Sequence, residues 1–185
     1  MRERSTSFVK WRAMRCAECG FDWEGTRPVD LVDELRVLPD RYRMPLTRFL
    51  PGEDAALLRR RPEPAVWSAL EYAAHTADAL DFYAGRIARV LDEDRPELTA
   101  FDFDAACAQR RYNERAADEV LDGLARSAAR LADLLDGIDA AGWDRVGIGS
   151  DGGDRSVLLL ARRAVHEGHH HLLDVGRVLR HVRGR

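Results

Sequence analysis

Apolar side chains recur at three- and four-residue steps along four long segments of the chain, and polar side chains fill the positions between them. This spacing places the apolar residues on one face of a helix, so each segment is predicted to be an amphipathic α-helix. The predicted helices cover about residues 29–50, 64–91, 105–138 and 156–182. Four long helices with little else predict an all-α fold, a four-helix bundle.

Proline, glycine and polar residues mark the ends of these helices. Pro39 and Pro45 are predicted to kink or break the first helix, because proline lacks the N–H that a helix interior uses. Pro64 suits the first turn of the second helix, where that N–H is not needed. Asp154 or Ser156 suits the N-cap of the last helix. No strand is predicted, since the apolar fragment at 146–148 is short and surrounded by glycine.

Composition limits the classes of protein to which the chain can belong. Its 185 residues, 45% of them hydrophobic, suffice for one domain with a core. We divide the chain into an N-terminal arm, residues 1–28, and a bundle, residues 29–185. The net charge of −3 gives no reason to expect nucleic acid or an anionic membrane as partner. No segment has the apolar length of a membrane helix or the apolar core of a secretory signal, which favours the cytoplasm.

Four of the six histidines lie in one run of the last predicted helix. His166 and His170 are about 40° apart around the helix axis, and the apolar periodicity places His166 on the core-facing side. Two imidazoles on an inward stripe need partners, because burying polar groups without them is costly. A shared metal ion meets this need, since neutral imidazole is a common ligand. The alternative is a solvated histidine-rich face without metal.

Other residues of the run receive different predictions. His169 is an alternative ligand or a neighbour of the pair, whereas His171 and His181 are predicted to be exposed. The run also fits the H-E-x-x-H pattern of zinc proteases, with Glu167 at the acidic position. The extended form of that pattern does not follow downstream, so a peptidase is disfavoured and Glu167 is interpreted as facing solvent.

A catalytic metal site needs a third protein ligand, and His75 in the second predicted helix is the candidate. Bundles build metal sites from inward side chains on facing helices. With His75, His166 and His170 as ligands, one position would remain for water or substrate, which is typical of catalytic rather than structural sites. No catalytic residue is named beyond these ligands.

Cys16 and Cys19 form a C-x-x-C pair that resembles half of a zinc ribbon. The third cysteine, Cys107, lies in a predicted helix, so the chain lacks the second pair of a ribbon. Three interpretations remain open. Two copies of the chain share a four-cysteine site, the pair is a redox switch, or the thiols are reduced and hold no ligand.

Three pieces of the chain together resemble the DinB/YfiT-like family of metal-binding four-helix bundles. The segment from Pro64 to His75 resembles the second-helix signature of this family, which ends in a ligand histidine. Trp143 precedes a glycine-rich turn into the last helix. His166 and His170 match the H-x-x-x-H pair of the family. The resemblance covers about residues 29–182.

The resemblance implies a divalent metal ion, zinc or nickel, held by His75, His166 and His170. Characterised relatives include thiol-dependent S-transferases and a mycothiol-dependent maleylpyruvate isomerase. The isomerase group has a glutamate ligand where this chain has His166, which argues against that reaction. The resemblance also implies a homodimer.

The expected function is therefore that of a metal-dependent enzyme, a thiol S-transferase or related hydrolase acting on a small electrophilic substrate. In this mechanism the metal ion lowers the pKa of a low-molecular-weight thiol, and the thiolate attacks the substrate. Arg163 is a candidate for holding a carboxylate of that thiol, with a helix-surface arginine as the alternative. The alternative function is a metal-binding or stress-response protein without turnover.

Overall fold

Within residues 15–184, the helical periodicity of the sequence is realised in five α-helices, four of them long. The computed structural model describes residues 15–184. The helices are α1 (Pro28–Thr47), α2 (Ala69–Asp92), α3 (Phe103–Gln109), α4 (Ala117–Asp136) and α5 (Val157–Val182). The long helices form a four-helix bundle, which confirms the predicted all-α fold class. Residues 1–14 of the predicted N-terminal arm lie outside the described residues.

The order of the helices around the bundle differs from their order in the chain. α2 packs against α4 and α5, and α1 packs against the same two helices from the other side. α1 and α2 therefore occupy diagonal corners, although they are consecutive in the chain. Fully buried leucines such as Leu35, Leu80 and Leu131 fill the space between them. Each such side chain contributes about 1.5–3 kcal/mol through burial.

α2 begins with a capping box rather than at Pro64. The Ser68 hydroxyl accepts a hydrogen bond from the backbone N–H of Glu71, and the Glu71 carboxylate accepts one from the N–H of Ser68 at 2.8 Å. These two bonds satisfy donors that the first helical turn leaves unpaired. Pro64 lies in the preceding turn, so its predicted place inside the helix is wrong. The box fixes the helix one turn before His75.

The long third helix predicted from the sequence is divided in the structure. α3 ends at Gln109, and Arg111 follows in the left-handed conformation with φ of 50°. The Tyr112 side chain is fully buried, and its hydroxyl donates a hydrogen bond to Asp78 of α2. Turning this tyrosine into the core interrupts the helical path, and α4 then begins at Ala117.

α1 runs without interruption through both of its prolines. Its buried side chains Leu35, Leu38 and Tyr42 hold it against the bundle on either side of Pro39. This packing outweighs the hydrogen bonds that the prolines cannot make, so of the predicted kink or break the break is wrong.

A small sheet, absent from the sequence-based prediction, closes one end of the bundle. Its strands are β1 (Glu97–Leu98), β2 (Val146–Gly149) and β3 (Asp154–Ser156), with β2 in the centre, parallel to β1 and antiparallel to β3. Gly147 permits this packing, since a Cβ there would lie 2.9 Å from side-chain atoms of Leu98 and Val90. The sheet leads directly into Ser156, the N-cap of α5, whose hydroxyl accepts from the N–H of Leu159. The predicted cap is therefore confirmed.

A buried hydroxyl ties α1, α2 and α5 together at mid-height. Tyr42 of α1 donates a hydrogen bond to the backbone carbonyl of Gly168 on α5, and its hydroxyl lies 2.9 Å from that of Thr76 on α2. Both groups lie close in sequence to the histidines of α2 and α5, so these bonds set the relative height of the two helices. Within residues 15–184, no helix combines the length and the apolar character needed to cross a membrane.

Candidate metal centres

α5 carries two pairs of possible metal ligands, each with a four-residue separation. His166 and His170 share one face, and Glu167 and His171 share the next, because adjacent residues of a helix are about 100° apart. The two pairs meet different parts of the protein. His166 and His170 lie against Cys16 and Cys19, whereas Glu167 and His171 lie against α2.

The first group, here called the histidine–glutamate site, joins His75 of α2 to Glu167 and His171 of α5. One possible ligand atom from each residue lies within 4.8 Å of the others. Glu167 Oε2 lies 3.1 Å from Nε2 of His171 and 3.5 Å from Nε2 of His75. Two imidazoles and one carboxylate form a donor set that divalent transition metals bind in proteins.

Asp174 fixes the orientation of the His171 ring. Its Oδ2 lies 3.0 Å from Nδ1 of His171, which leaves Nε2 directed at Glu167. Arg177 in turn donates a hydrogen bond to Oδ1 of Asp174. A carboxylate behind the outer nitrogen of an imidazole is the usual support for a metal-binding histidine.

The carboxylates of Glu167 and Asp174 favour a cation at this site. Burial raises the pKa of Glu167, but hydrogen bonds from His171 and His75 outweigh it and hold that pKa well below its usual range. Burial lowers the pKa of His171, but hydrogen bonds to Asp174 and Glu167 outweigh it and raise the pKa to about 9. The two carboxylates thus stabilise a cation among the imidazoles, and a divalent metal ion competes with a proton for that role.

His75 lies in an apolar setting that fits a neutral ligand. It is 3% exposed, and its ring centroid lies 5.0 Å from that of Trp67 and 4.7 Å from that of Phe103. Its Nδ1 is buried and has no hydrogen-bond partner among the described residues. The other ring nitrogen, Nε2, faces Glu167 at 3.5 Å and is the atom available to a metal ion, which would give this weakly paired buried ring a strong partner.

The second group, here called the cysteine–histidine site, consists of Cys16, Cys19, His166 and His170. One possible ligand atom from each lies within 4.8 Å of the others, and all four side chains are half-buried. Burial opposes ionisation of Cys16, but hydrogen bonds from the Cys19 N–H and from His166 outweigh it and lower the pKa to about 6. Burial raises the pKa of Cys19 to about 11. Two thiols and two imidazoles form a donor set suited to zinc.

The structure does not bring His75, His166 and His170 into one site. His75 meets Glu167 and His171, one residue further along α5 than the predicted pair. Both pairs have the separation that a metal site needs, so the spacing alone could not distinguish them. The packing of α5 determines the outcome, because it turns the face with Glu167 and His171 towards α2 and leaves the adjacent face to the N-terminal segment.

Two predictions for individual residues of the run are wrong as a result. The side chain of His171 is 16% exposed and does not lie on the open surface, and Glu167 is paired with His75 and His171 rather than facing solvent. His181 is exposed as predicted. His169 is a neighbour, with Nε2 at 3.0 Å from Glu34 of α1. The residues of the zinc-protease pattern are divided between the two groups.

The contact of the cysteine pair with His166 and His170 was not predicted from the sequence. None of the three interpretations paired the cysteines with His166 and His170. Two ligands at a C-x-x-C spacing and two at an H-x-x-x-H spacing make up a four-ligand set, and this signal was present in the sequence. Cys107 takes no part, since it is buried on α3 with Sγ at 3.8 Å from Oε1 of Glu71.

A cleft of about 360 Å³ has Trp67 in its wall, and none of the three residues of the histidine–glutamate site lines it. Trp67 forms part of its wall and contacts the His75 ring on its other side. The remaining wall includes the charged and polar side chains of Arg61, Glu71, Arg111 and Asn113. The cleft thus offers polar contacts to a small molecule, and Trp67 connects its wall to the His75 ring.

The fold and the two donor groups define a class of protein: a helical bundle with side chains suited to a divalent metal ion between its helices. The chain belongs to the DinB superfamily, whose family model matches residues 39–175. This match confirms the family predicted from the sequence.

The fold is similar to that of YfiT from Bacillus subtilis, which is described as a probable metal-dependent hydrolase with an unusual four-helix bundle topology. The two structures align with a TM-score of 0.73 at 16% sequence identity, covering 83% of this chain and 86% of YfiT. At this identity the likeness establishes a shared fold. The comparison with curated proteins gives no match.

Proposed function

We propose that this protein is a divalent-metal-dependent enzyme in which His75, Glu167 and His171 hold the metal ion. The observation that carries the proposal is the convergence of Glu167 Oε2 with the Nε2 atoms of both histidines between α2 and α5. Three protein ligands leave at least one coordination position for water or substrate, which is the pattern of catalytic sites.

The chemistry follows from the ligands and their surroundings. A divalent ion held there would lower the pKa of a water molecule or thiol and polarise the group that it attacks. Glu167 contributes the negative charge that balances the ion, and Asp174 keeps the His171 ring in its binding orientation. Trp67 and Phe103 pack against the His75 ring and keep water away from it.

The reaction class is a hydrolysis or a thiol-dependent S-transfer on a small electrophilic substrate. The description of YfiT as a probable metal-dependent hydrolase supports the first reaction, and the resemblance to thiol-dependent family members supports the second. The predicted triad of three histidines lacked the glutamate ligand of the isomerase group. The proposed set of two histidines and one glutamate contains such a ligand, so this difference no longer disfavours the isomerase reaction. The cleft lined by Trp67 is the proposed entrance for the substrate.

An activity panel tests this proposal. Untagged protein loaded with zinc or nickel is assayed on esters, amides and small electrophiles, each with and without a low-molecular-weight thiol. We expect metal-dependent turnover that falls to background in His75→Gln and about 10–100-fold in Asp174→Asn, since Asp174 supports a ligand without binding the ion.

His181→Gln provides the matched control, because this histidine is on the same helix and exposed. It is expected to retain full activity. Turnover that survives in His75→Gln would contradict the proposal. Metal-loaded protein that converts none of these substrates would support the alternative of a metal-binding protein without turnover.

We also propose that the protein is a homodimer in the cytoplasm. The basis for the homodimer is the family resemblance. Val37 and Met44 on the outer face of α1 are 43% and 52% exposed, and such apolar side chains are suited to a subunit interface. Light scattering of the metal-loaded protein measures the mass directly.

A further inference from the structure

We infer that Cys16, Cys19, His166 and His170 hold a structural zinc ion that fastens the segment of residues 15–27 to α5. This second metal site is independent of the proposed enzymatic function. Its four ligands come from two parts of the chain that are far apart in sequence, two from the turn around Cys16 and two from one face of the helix.

The turn that carries the cysteines is shaped to present both thiols on one side. The N–H of Cys16 donates to the carbonyl of Phe21 at 2.8 Å, and the N–H of Gly20 donates to the carbonyl of Cys16 at 2.9 Å. Gly20 adopts a φ of 76°, which glycine reaches without steric strain. Cys16 and Cys19 are both free thiols, so they are available as ligands.

The histidines of α5 complete the set with nitrogen atoms that lack other partners. His170 Nδ1 lies 3.7 Å from Cys16 Sγ. His166 Nε2 is buried and has no hydrogen-bond partner among the described residues. Leaving such an atom unpaired is costly, whereas four-residue spacing on a helix allows both rings to bind one ion.

Aromatic side chains of the N-terminal segment pack against the His166 ring of the group. The Trp23 ring lies 4.5 Å from that of His166, and the Phe21 ring, which is 7% exposed, lies 5.7 Å from it. Four protein ligands fill the coordination of a tetrahedral zinc ion, which is typical of a structural site rather than a catalytic one. Two thiolates also cancel the charge of the ion, which lowers the cost of burying it.

The N-terminal segment needs an anchor of this kind. Within residues 15–27, its only pairing of strand type is the bridge between Arg15 and Asp22. Its remaining polar links to α5 include the bonds from Arg162 to the carbonyl of Thr26 and from Arg177 to Glu18. Both involve side chains that solvent reaches. The segment buries Phe21 in the main core but is too short to build a core of its own, so a bound zinc ion would supply part of its folding energy.

The donor atoms also distinguish the two sites by metal preference. The cysteine–histidine site offers sulfur and nitrogen, which select zinc and other soft or borderline ions. The histidine–glutamate site offers nitrogen and oxygen. A metal bound to sulfur therefore has a spectroscopic signature that the histidine–glutamate site cannot produce.

Cobalt(II) binding to the metal-stripped full-length protein tests this inference. We expect a thiolate-to-cobalt charge-transfer absorption in the wild type that is lost in Cys19→Ser and shifted or lost in His166→Gln. Cys107→Ala is the matched control, since this cysteine lies outside the group, and it is expected to keep the band. The inference fails if the wild type shows no such band, if Cys19→Ser keeps it, or if His166→Gln leaves it unchanged.

A second measurement tests the same inference on the wild-type protein alone. X-ray absorption at the zinc edge of the wild-type protein should show sulfur neighbours at about 2.3 Å together with nitrogen at about 2.0 Å. A zinc environment of nitrogen and oxygen alone, in protein fully loaded with zinc, would overturn the inference and leave the proposed enzyme unaffected.

Discussion

Gly168 is the residue through which α5 makes close contact with α1. A Cβ at this position would lie 2.6 Å from Cδ2 of Leu38, a buried side chain that can shift little. The residue also lies between the members of both ligand pairs, and its carbonyl accepts the hydrogen bond from Tyr42. The absence of a side chain here therefore helps to set the depth at which the candidate metal ligands lie.

Gly168→Ala is predicted to lower the free energy of unfolding by about 1 kcal/mol. The clash with Leu38 costs about 1–3 kcal/mol, and the better helix propensity of alanine recovers about 1 kcal/mol. Gly176→Ala is the control on the same helix, because the nearest atom to its added Cβ is the tip of Arg180 at 3.6 Å. It should stabilise the protein by up to about 1 kcal/mol.

Urea denaturation at a fixed metal concentration measures both variants, since a bound metal shifts the apparent stability. Equal stabilisation by the two substitutions would show that α1 does not restrict α5 at this point.

The capping box of α2 shows how a short local pattern positions a functional element. The Ser68 hydroxyl accepts from the N–H of Glu71 and donates to Asn113 at 2.7 Å, and it is completely buried. The Glu71 carboxylate accepts from the N–H of Ser68 and from Arg61. The start of α2 is thereby fixed to two loops, and His75 follows about two turns later.

Ser68→Ala is predicted to destabilise the protein by about 1–2 kcal/mol, because it removes an N-cap and leaves buried partners unsatisfied. Ser150→Ala, on an exposed turn, should change the stability by less than about 0.5 kcal/mol. Thermal unfolding of both variants with metal bound measures the difference. Equal melting temperatures would argue against the box as the anchor of this helix.

At the scale of elements, the sequence was informative wherever local chemistry determines the structure. The apolar periodicity predicted the bundle, and Ser156 marked the start of α5 correctly. The division of the third helix was not predictable, because it depends on the burial of Tyr112 against Asp78, which is distant in sequence. The continuity of α1 through Pro39 depends on packing in the same way.

Local sequence patterns were also insufficient to assign the residues of the candidate sites. The four-residue spacing predicted metal ligands on α5, but His166 with His170 and Glu167 with His171 satisfy it equally. A difference of one residue rotates the helix face by about 100°, and only the packing of α5 on α2 selects the pair that meets His75. The pairing of the cysteines with α5 is likewise a long-range contact that no local pattern determines.

On the scale of the whole molecule, α5 contributes residues to two candidate metal sites on adjacent faces. Asp174 lies between them, with Oδ2 at 3.0 Å from His171 Nδ1 and at 3.8 Å from His170 Nε2. Arg177 links Asp174 to Glu18, which stands between the two cysteines. The N-terminal segment and the contact of α2 with α5 are thus joined through one short chain of charged side chains.

The most direct test of the account is the metal content of a protein that keeps only the histidine–glutamate site. Cys16→Ser/Cys19→Ser protein is loaded with zinc, freed of excess ion and measured by elemental analysis, alone and with His171→Gln or His170→Gln added. We predict one ion per chain in the double variant, none after His171→Gln, and one after His170→Gln. Loss of the ion in His170→Gln with retention in His171→Gln would contradict the account and restore the triad of His75, His166 and His170.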